Sequence, residues 1–133
     1  MYKKVIKYTD YNGVEHEDTF YFNYSKAELI EMDLVHPEGF EAWINGLIKA
    51  SDNEALVNLF KELILGSYGE KDPTGKRFIK SKELSEGFSQ TEAYSELYME
   101  LITNTESAIE FVNGIVPKVE APAQSNVAAL SEA

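Results

Sequence analysis

The sequence predicts an α+β fold: an N-terminal β-hairpin packed on a mainly helical bundle of about five helices, with a disordered C-terminal tail. Three observations carry this. Residues 2–9 and 14–24 alternate in polarity and are rich in Val, Ile, Phe, Tyr and Thr on either side of Asn12-Gly13. From Ser25 onward the apolar period lengthens from two to about three and a half. Beyond Pro117 the composition shifts to Ala, Ser and Pro, with little to pack. The folded domain is therefore expected over 1–116, and 117–133 as a flexible tail or linker.

The hairpin comes first. Asn-Gly between two alternating runs predicts a type I′ turn, because both residues tolerate positive φ. Phe20, Phe22 and Tyr24 share one strand face and should cover a helical layer. Lys3, Lys4 and Lys7 should line the solvent side and the sheet edge, where lysine discourages unwanted pairing.

Four helix starts carry a capping-box pattern: Ser25 with Glu28, Ser51 with Glu54, Ser89 with Glu92, and Thr103 with Glu106. In each, the hydroxyl can accept from a first-turn amide while the carboxylate reaches back to the cap amide. The first helix, 26–35, carries Ala27, Ile30 and Leu34, and His36-Pro37-Glu38-Gly39 ends it. A second, 39–50, aligns Phe40, Trp43, Ile44, Leu47 and Ile48; a third, 53–66, aligns Leu56, Leu59, Phe60, Leu63 and Ile64. Gly66, Gly69 and Gly75 are expected as a helix stop and turn residues, with a tight turn at Asp72-Pro73-Thr74-Gly75. Helices over 81–88, 91–103 and 105–114 follow, the last turning Ala108, Phe111, Val112 and Ile115 inward. Burying such side chains contributes roughly 1.5–3 kcal/mol each.

With 133 residues the chain can bury a core as one domain without disulfides or metal. Twelve Lys and Arg against 23 Asp and Glu leave a net charge of −11, which argues against nucleic acid or an anionic membrane as main ligand. The absence of cysteine removes thiol chemistry and Cys-based zinc sites. MYKKVIKYTD has no apolar run resembling a signal peptide, and no segment reaches transmembrane length, so a cytoplasmic protein is expected.

No catalytic, cofactor or metal constellation emerges. His16 and His36 lack a second histidine or a carboxylate at helical metal spacing. Phosphate-loop, dinucleotide and nucleophile-elbow motifs are absent from the sequence. Carboxylate pairs such as Glu28 with Glu31 or Glu96 with Glu100 suit the wet faces of amphipathic helices better than acid–base chemistry. One basic cluster stands out: Lys71, Lys76, Arg77, Lys80 and Lys82, with Phe78 and Ile79 as anchors. It either neutralises acidic helices of its own domain or offers a patch to an acidic protein surface, such as a neighbouring copy of the chain.

Several blocks together resemble a family of tail assembly chaperones of tailed bacteriophages. They are DYNG at 10–13, FYFNYSKAEL at 20–29, FKELIL at 60–65, SYGEKDPTGKRFIKS at 67–81, FSQTEAYSELYMEL at 88–101 and FVNGIVP at 111–117. The resemblance implies a non-enzymatic protein of the host cytoplasm, absent from the mature virion, that binds the tape measure protein and keeps it soluble until the tube forms. It also implies the short form of a pair whose longer member arises by ribosomal frameshift, with that longer form, the tail tube protein and further copies of the chain as additional partners. A holding chaperone needs an acidic outer surface around a modest apolar groove. Trp43, Tyr94, Tyr98 and Met99 are the candidate groove residues, and Lys76, Arg77, Phe78 and Lys80 the candidate basic contact. The alternative within the same setting is a small structural virion protein of the tail or head-completion type. A hydrolase would need polar residues that the sequence does not nominate.

Overall fold

A computed structural model of the chain describes residues 1–35, 42, 46, 49 and 53–117. Nine elements follow one another: β1 (Tyr2–Thr9), β2 (Glu15–Phe22), α1 (Lys26–Val35), α2 (Asn53–Ser67), β3 (Tyr68–Lys71), β4 (Phe78–Ile79), α3 (Lys82–Ser89), α4 (Glu92–Thr103) and α5 (Thr105–Ile115). The predicted α+β class is what forms: a four-stranded antiparallel sheet, ordered β1-β2-β3-β4, with five helices among the described residues. The helix predicted over 39–50, including Trp43, lies outside the described residues apart from positions 42, 46 and 49.

β1 and β2 pair from Tyr2↔Phe22 to Thr9↔Glu15. The period-two pattern turns Tyr2, Ile6, Phe20 and Phe22 toward the helices and leaves Lys3, Val5 and Lys7 outside. Lys4 departs from the expectation. Its strand position points it to the helical side, where its ammonium pairs with Glu100 at 2.7 Å. The turn also differs by one residue. Gly13 N donates to Asp10 O and Asp10 N donates to Val14 O, so the loop is Tyr11-Asn12-Gly13, with Gly13 at φ 81°. This is the three-residue turn ending in a left-handed glycine rather than a two-residue type I′ turn. The Asp10 carboxylate selects it by accepting from both Asn12 N and Val14 N at 2.9 Å.

The strand expected to reach Tyr24 ends at Phe22, where the backbone changes partners. Asn23 N donates to Ser67 O and Tyr24 N to Ile115 O, tying the strand exit to the ends of α2 and α5. At Ser25 the predicted capping box forms in both directions: Glu28 Oε1 accepts from Ser25 N, and Ser25 Oγ accepts from Glu28 N. Glu28 and Leu29 turn inward and Ala27 and Ile30 are exposed, against the face expected for α1. The boxes at Ser89 and Thr103 do not form. Both hydroxyls lie inside preceding helices and donate back to Glu86 O and Met99 O. Thr91 and Asn104 cap α4 and α5 instead, and Ser81 caps α3. Ser51 lies outside the described residues.

The loop expected after α2 contains two strands. β3 continues directly from the helix and pairs with β2 through Tyr21↔Gly69 and Phe22↔Tyr68, then with β4 through Glu70↔Ile79 and Lys71↔Phe78. Gly66 is therefore still helical, and Gly69 is a strand residue rather than a turn residue. A Cβ on Gly69 would sit 2.7 Å from both Ile79 O and the Phe78 ring, so the β4 backbone can approach only because that atom is missing. The Asp72–Gly75 turn forms as expected, with Gly75 at φ 74° and its amide bonded to Asp72 O.

The core lies between sheet and helices. Phe22 is fully buried among Tyr2, Tyr68, Phe88 and Phe111, and Tyr68 stacks on Phe88 at 4.3 Å. Phe60, Ile64, Leu97, Leu101, Val112 and Ile115 complete it. The stripes predicted for α2 and α5 thus form the interior. Ser67, the buried polar residue there, satisfies its hydroxyl on Leu63 O.

Candidate functional site

α4 has two unlike flanks. At 3.6 residues per turn, Ala93, Leu97 and Leu101 point into the core, and all three are buried. One flank carries Tyr94, Tyr98 and Ile102 at spacings of four, and Met99, three residues before Ile102, lies on the outer face next to it. The other carries Glu92, Glu96 and Glu100 at the same spacing. The acidic flank turns toward the β1–β2 hairpin, where Glu100 meets Lys4 and Glu96 lines a cleft with Lys7. The apolar flank turns toward α2: Tyr98 Oη donates to Val57 O, and Tyr94 packs edge-on between Phe88 and Tyr98.

This flank ends in exposed apolar surface. Met99 is 56% exposed, Val57 42% and Ile102 37%. The two half-buried tyrosines pack on each other where α4 meets α2 at Val57 O, Ile102 lies one turn beyond Tyr98, and Met99 projects from the outer face of α4. Of the residues expected from sequence to make a groove, Tyr94 and Tyr98 pack edge-on against each other, and Met99 is exposed on the same helix. Ile102 and the Val57 carbonyl join the tyrosines unannounced. Ile102 was legible as the residue four beyond Tyr98, whereas Val57 depends on how α2 packs on α4. Chemically, such a surface can take up the apolar face of another chain, with tyrosine and methionine adapting to its contour.

The basic candidates lie elsewhere, on the β3–β4 hairpin, which packs on α3. Lys76 and Arg77 are exposed at its tip, with no ion pair among the described residues, and Phe78 is half buried against Gly69. Lys80 is committed inward. Its ammonium donates to Glu28 Oε2, to Asn23 O and to Gly66 O, each carbonyl at 3.0 Å, and lies 4.5 Å from the centre of the Tyr24 ring. It ties the exits of β2 and β4 to α1 and α2 at one point. Lys71 lies over Tyr21, and Lys82 reaches toward Glu86. Neutralisation within the domain therefore accounts for Lys80, but not for Lys76 and Arg77.

The Lys80 junction makes stability pH-dependent. Burial pushes the Glu28 carboxyl up, but the hydrogen bonds from Lys80 and Ser25 outweigh it and hold the group below its ordinary value of 4.5. A carboxyl with a depressed folded pKa stabilises fully above its unfolded pKa, and this is lost as pH falls through the folded value. Thermal midpoints should thus hold from pH 7 to about 5 and fall below about 4. Glu28→Gln should remove part of that acid-side fall.

At the turn end of the hairpin, Lys7, Tyr8, Thr9, Glu15, His16, Glu17, Glu92 and Glu96 surround an open cleft of about 550 Å³. Lys7, Tyr8 and His16 are tied to neighbours. His16 Nε2 meets Asp10 Oδ2 at 2.6 Å and its ring stacks on Tyr8. Tyr8 Oη donates to Asp18 at 2.6 Å, which pushes the phenol up to about 12. Among the described residues, no three His, Cys, Asp or Glu side chains are placed to hold a metal, and no helix is long and apolar enough to cross a membrane.

No curated protein and no solved structure matches the chain. A family model described as phage tail assembly chaperone matches residues 1–128, taking in the sheet, the five helices and both candidate surfaces. The chain belongs to the phage tail assembly chaperone family.

Proposed function

We propose that this protein is a non-enzymatic holding chaperone that binds the tape measure protein and keeps it soluble while the tail tube assembles around it. The observation that carries this is the exposed apolar surface of α4, where Met99 and Ile102 stay accessible on the helix that carries Tyr94 and Tyr98, with Val57 of α2 exposed as well, in a protein of net charge −11. Apolar surface on a strongly acidic body suits a protein that covers apolar segments without self-associating. Its client is a helical stretch of the tape measure protein lying against Tyr94, Tyr98 and Met99, with Trp43 contributing from the preceding segment. Lys76, Arg77 and Phe78 form a second contact, for the tail tube protein, a longer frameshifted form or a further copy of the chain. The folded unit is 1–116, residues 117–133 serve as a linker, and the work is done in the host cytoplasm.

Co-expression tests the proposal. With this chain present, tape measure protein should move from the insoluble to the soluble fraction several-fold and co-purify with it. An unchanged soluble fraction would contradict a holding role. Retention of the chain in purified finished particles, read by mass spectrometry, would point instead to a structural virion component.

A further inference from the structure

β1 is an edge strand of eight residues, and among the described residues nothing pairs with its outer side. Asp10 N bonds to Val14 O at the turn, and antiparallel pairs alternate between bonded and non-bonded. The backbone groups of Tyr2, Lys4, Ile6 and Tyr8 therefore face β2, and those of Lys3, Val5 and Lys7 face away from it. Among the described residues, no backbone hydrogen bond reaches β1 from that outer side. The side chains of the same three residues stand on the solvent face of the sheet, where Val5 is 49% exposed. Open donors and acceptors thus coincide with a basic–apolar–basic row.

We propose that this edge docks an extended segment of a partner protein that pairs antiparallel with β1 and carries the order acidic–x–β-branched–x–acidic. Main-chain bonds to Lys3, Val5 and Lys7 would supply the attachment, and the alternate side chains its selectivity. The two acidic residues would lie opposite Lys3 and Lys7, and the β-branched one opposite Val5. β1 already shows this pairing on its other side, where Lys7 faces Glu17 across the strands at 3.6 Å. Two other occupants fit poorly. A second copy of β1, in the antiparallel register of greatest overlap, would set Lys3 against Lys7 twice, and like charges directly opposite destabilise a sheet. The tail 118–133 carries acidic residues only at Glu120 and Glu132, too far apart for the order required.

The probe is a blocked peptide, Thr-Glu-Thr-Val-Thr-Glu-Thr, titrated into the ¹⁵N-labelled chain. Saturable shifts are expected at the amides of Lys3, Val5 and Lys7. Replacing both peptide glutamates by lysine should weaken binding about two- to thirtyfold, the range set by two cross-strand charge pairs. The double variant Lys3→Glu/Lys7→Glu, both positions being exposed, should reverse that preference. N-methylation of the peptide's edge-facing amides, which leaves the protein untouched, should abolish the shifts. Shifts elsewhere, equal binding of the lysine peptide, or full binding of the N-methylated peptide would overturn the proposal.

Discussion

Phe22→Ala should cost about 3–5 kcal/mol, a large share of the 5–15 kcal/mol typical of a domain. The ring is fully buried, with neighbouring ring centres at 6.4 Å (Tyr2), 5.8 Å (Tyr68 and Phe88) and 5.6 Å (Phe111). These neighbours come from β1, β3, α3 and α5, so no single element can collapse into the space left behind. Urea unfolding followed by circular dichroism would measure the effect. Ile109→Ala, on the 42%-exposed side of α5, should cost less than about 1 kcal/mol. Equal costs at the two sites would mean that the aromatic cluster is not the centre of the core.

Met99→Glu/Ile102→Glu should abolish client solubilisation while leaving the fold intact. Both side chains lie on the exposed side of α4, 56% and 37% accessible, so the unfolding free energy should change by no more than about 0.5 kcal/mol. Binding should suffer far more. Losing two buried apolar contacts and placing two charges there should remove about 3 kcal/mol or more, above a hundredfold in affinity. Tyr98→Phe separates packing from anchoring, since it keeps the ring and removes only the bond to Val57 O. A double variant that unfolds would show these residues to be core, and one that holds its client would move the site elsewhere.

What the sequence could convey followed the range of the forces involved. The hairpin, the inward faces of α2 and α5 and the box at Ser25 depend on residues a few positions apart, and their pattern is written locally. β3 and β4 were missed because Tyr68–Lys71 and Phe78–Ile79 are too short to show a period; their pairing with β2 and with each other, through Gly69, makes them strands. The outward turn of Ile30 had a similar origin. Its helix is set by the reach of Glu28 to Lys80, 52 residues away, which no windowed pattern sees. At the candidate site, Tyr94, Tyr98 and Met99 stood out as two aromatic residues and a methionine on one helix. Val57 did not, because its place beside them is made by the contact between α2 and α4.

The most direct test is a titration of the ¹⁵N-labelled chain with a soluble helical segment of the tape measure protein, followed amide by amide. The largest changes should fall on Val57, Tyr94, Tyr98, Met99 and Ile102, and disappear with Met99→Glu/Ile102→Glu. Binding that perturbs only the β3–β4 hairpin around Lys76 and Arg77, or that survives in the double variant, would contradict the assignment of α4 as the client-binding face.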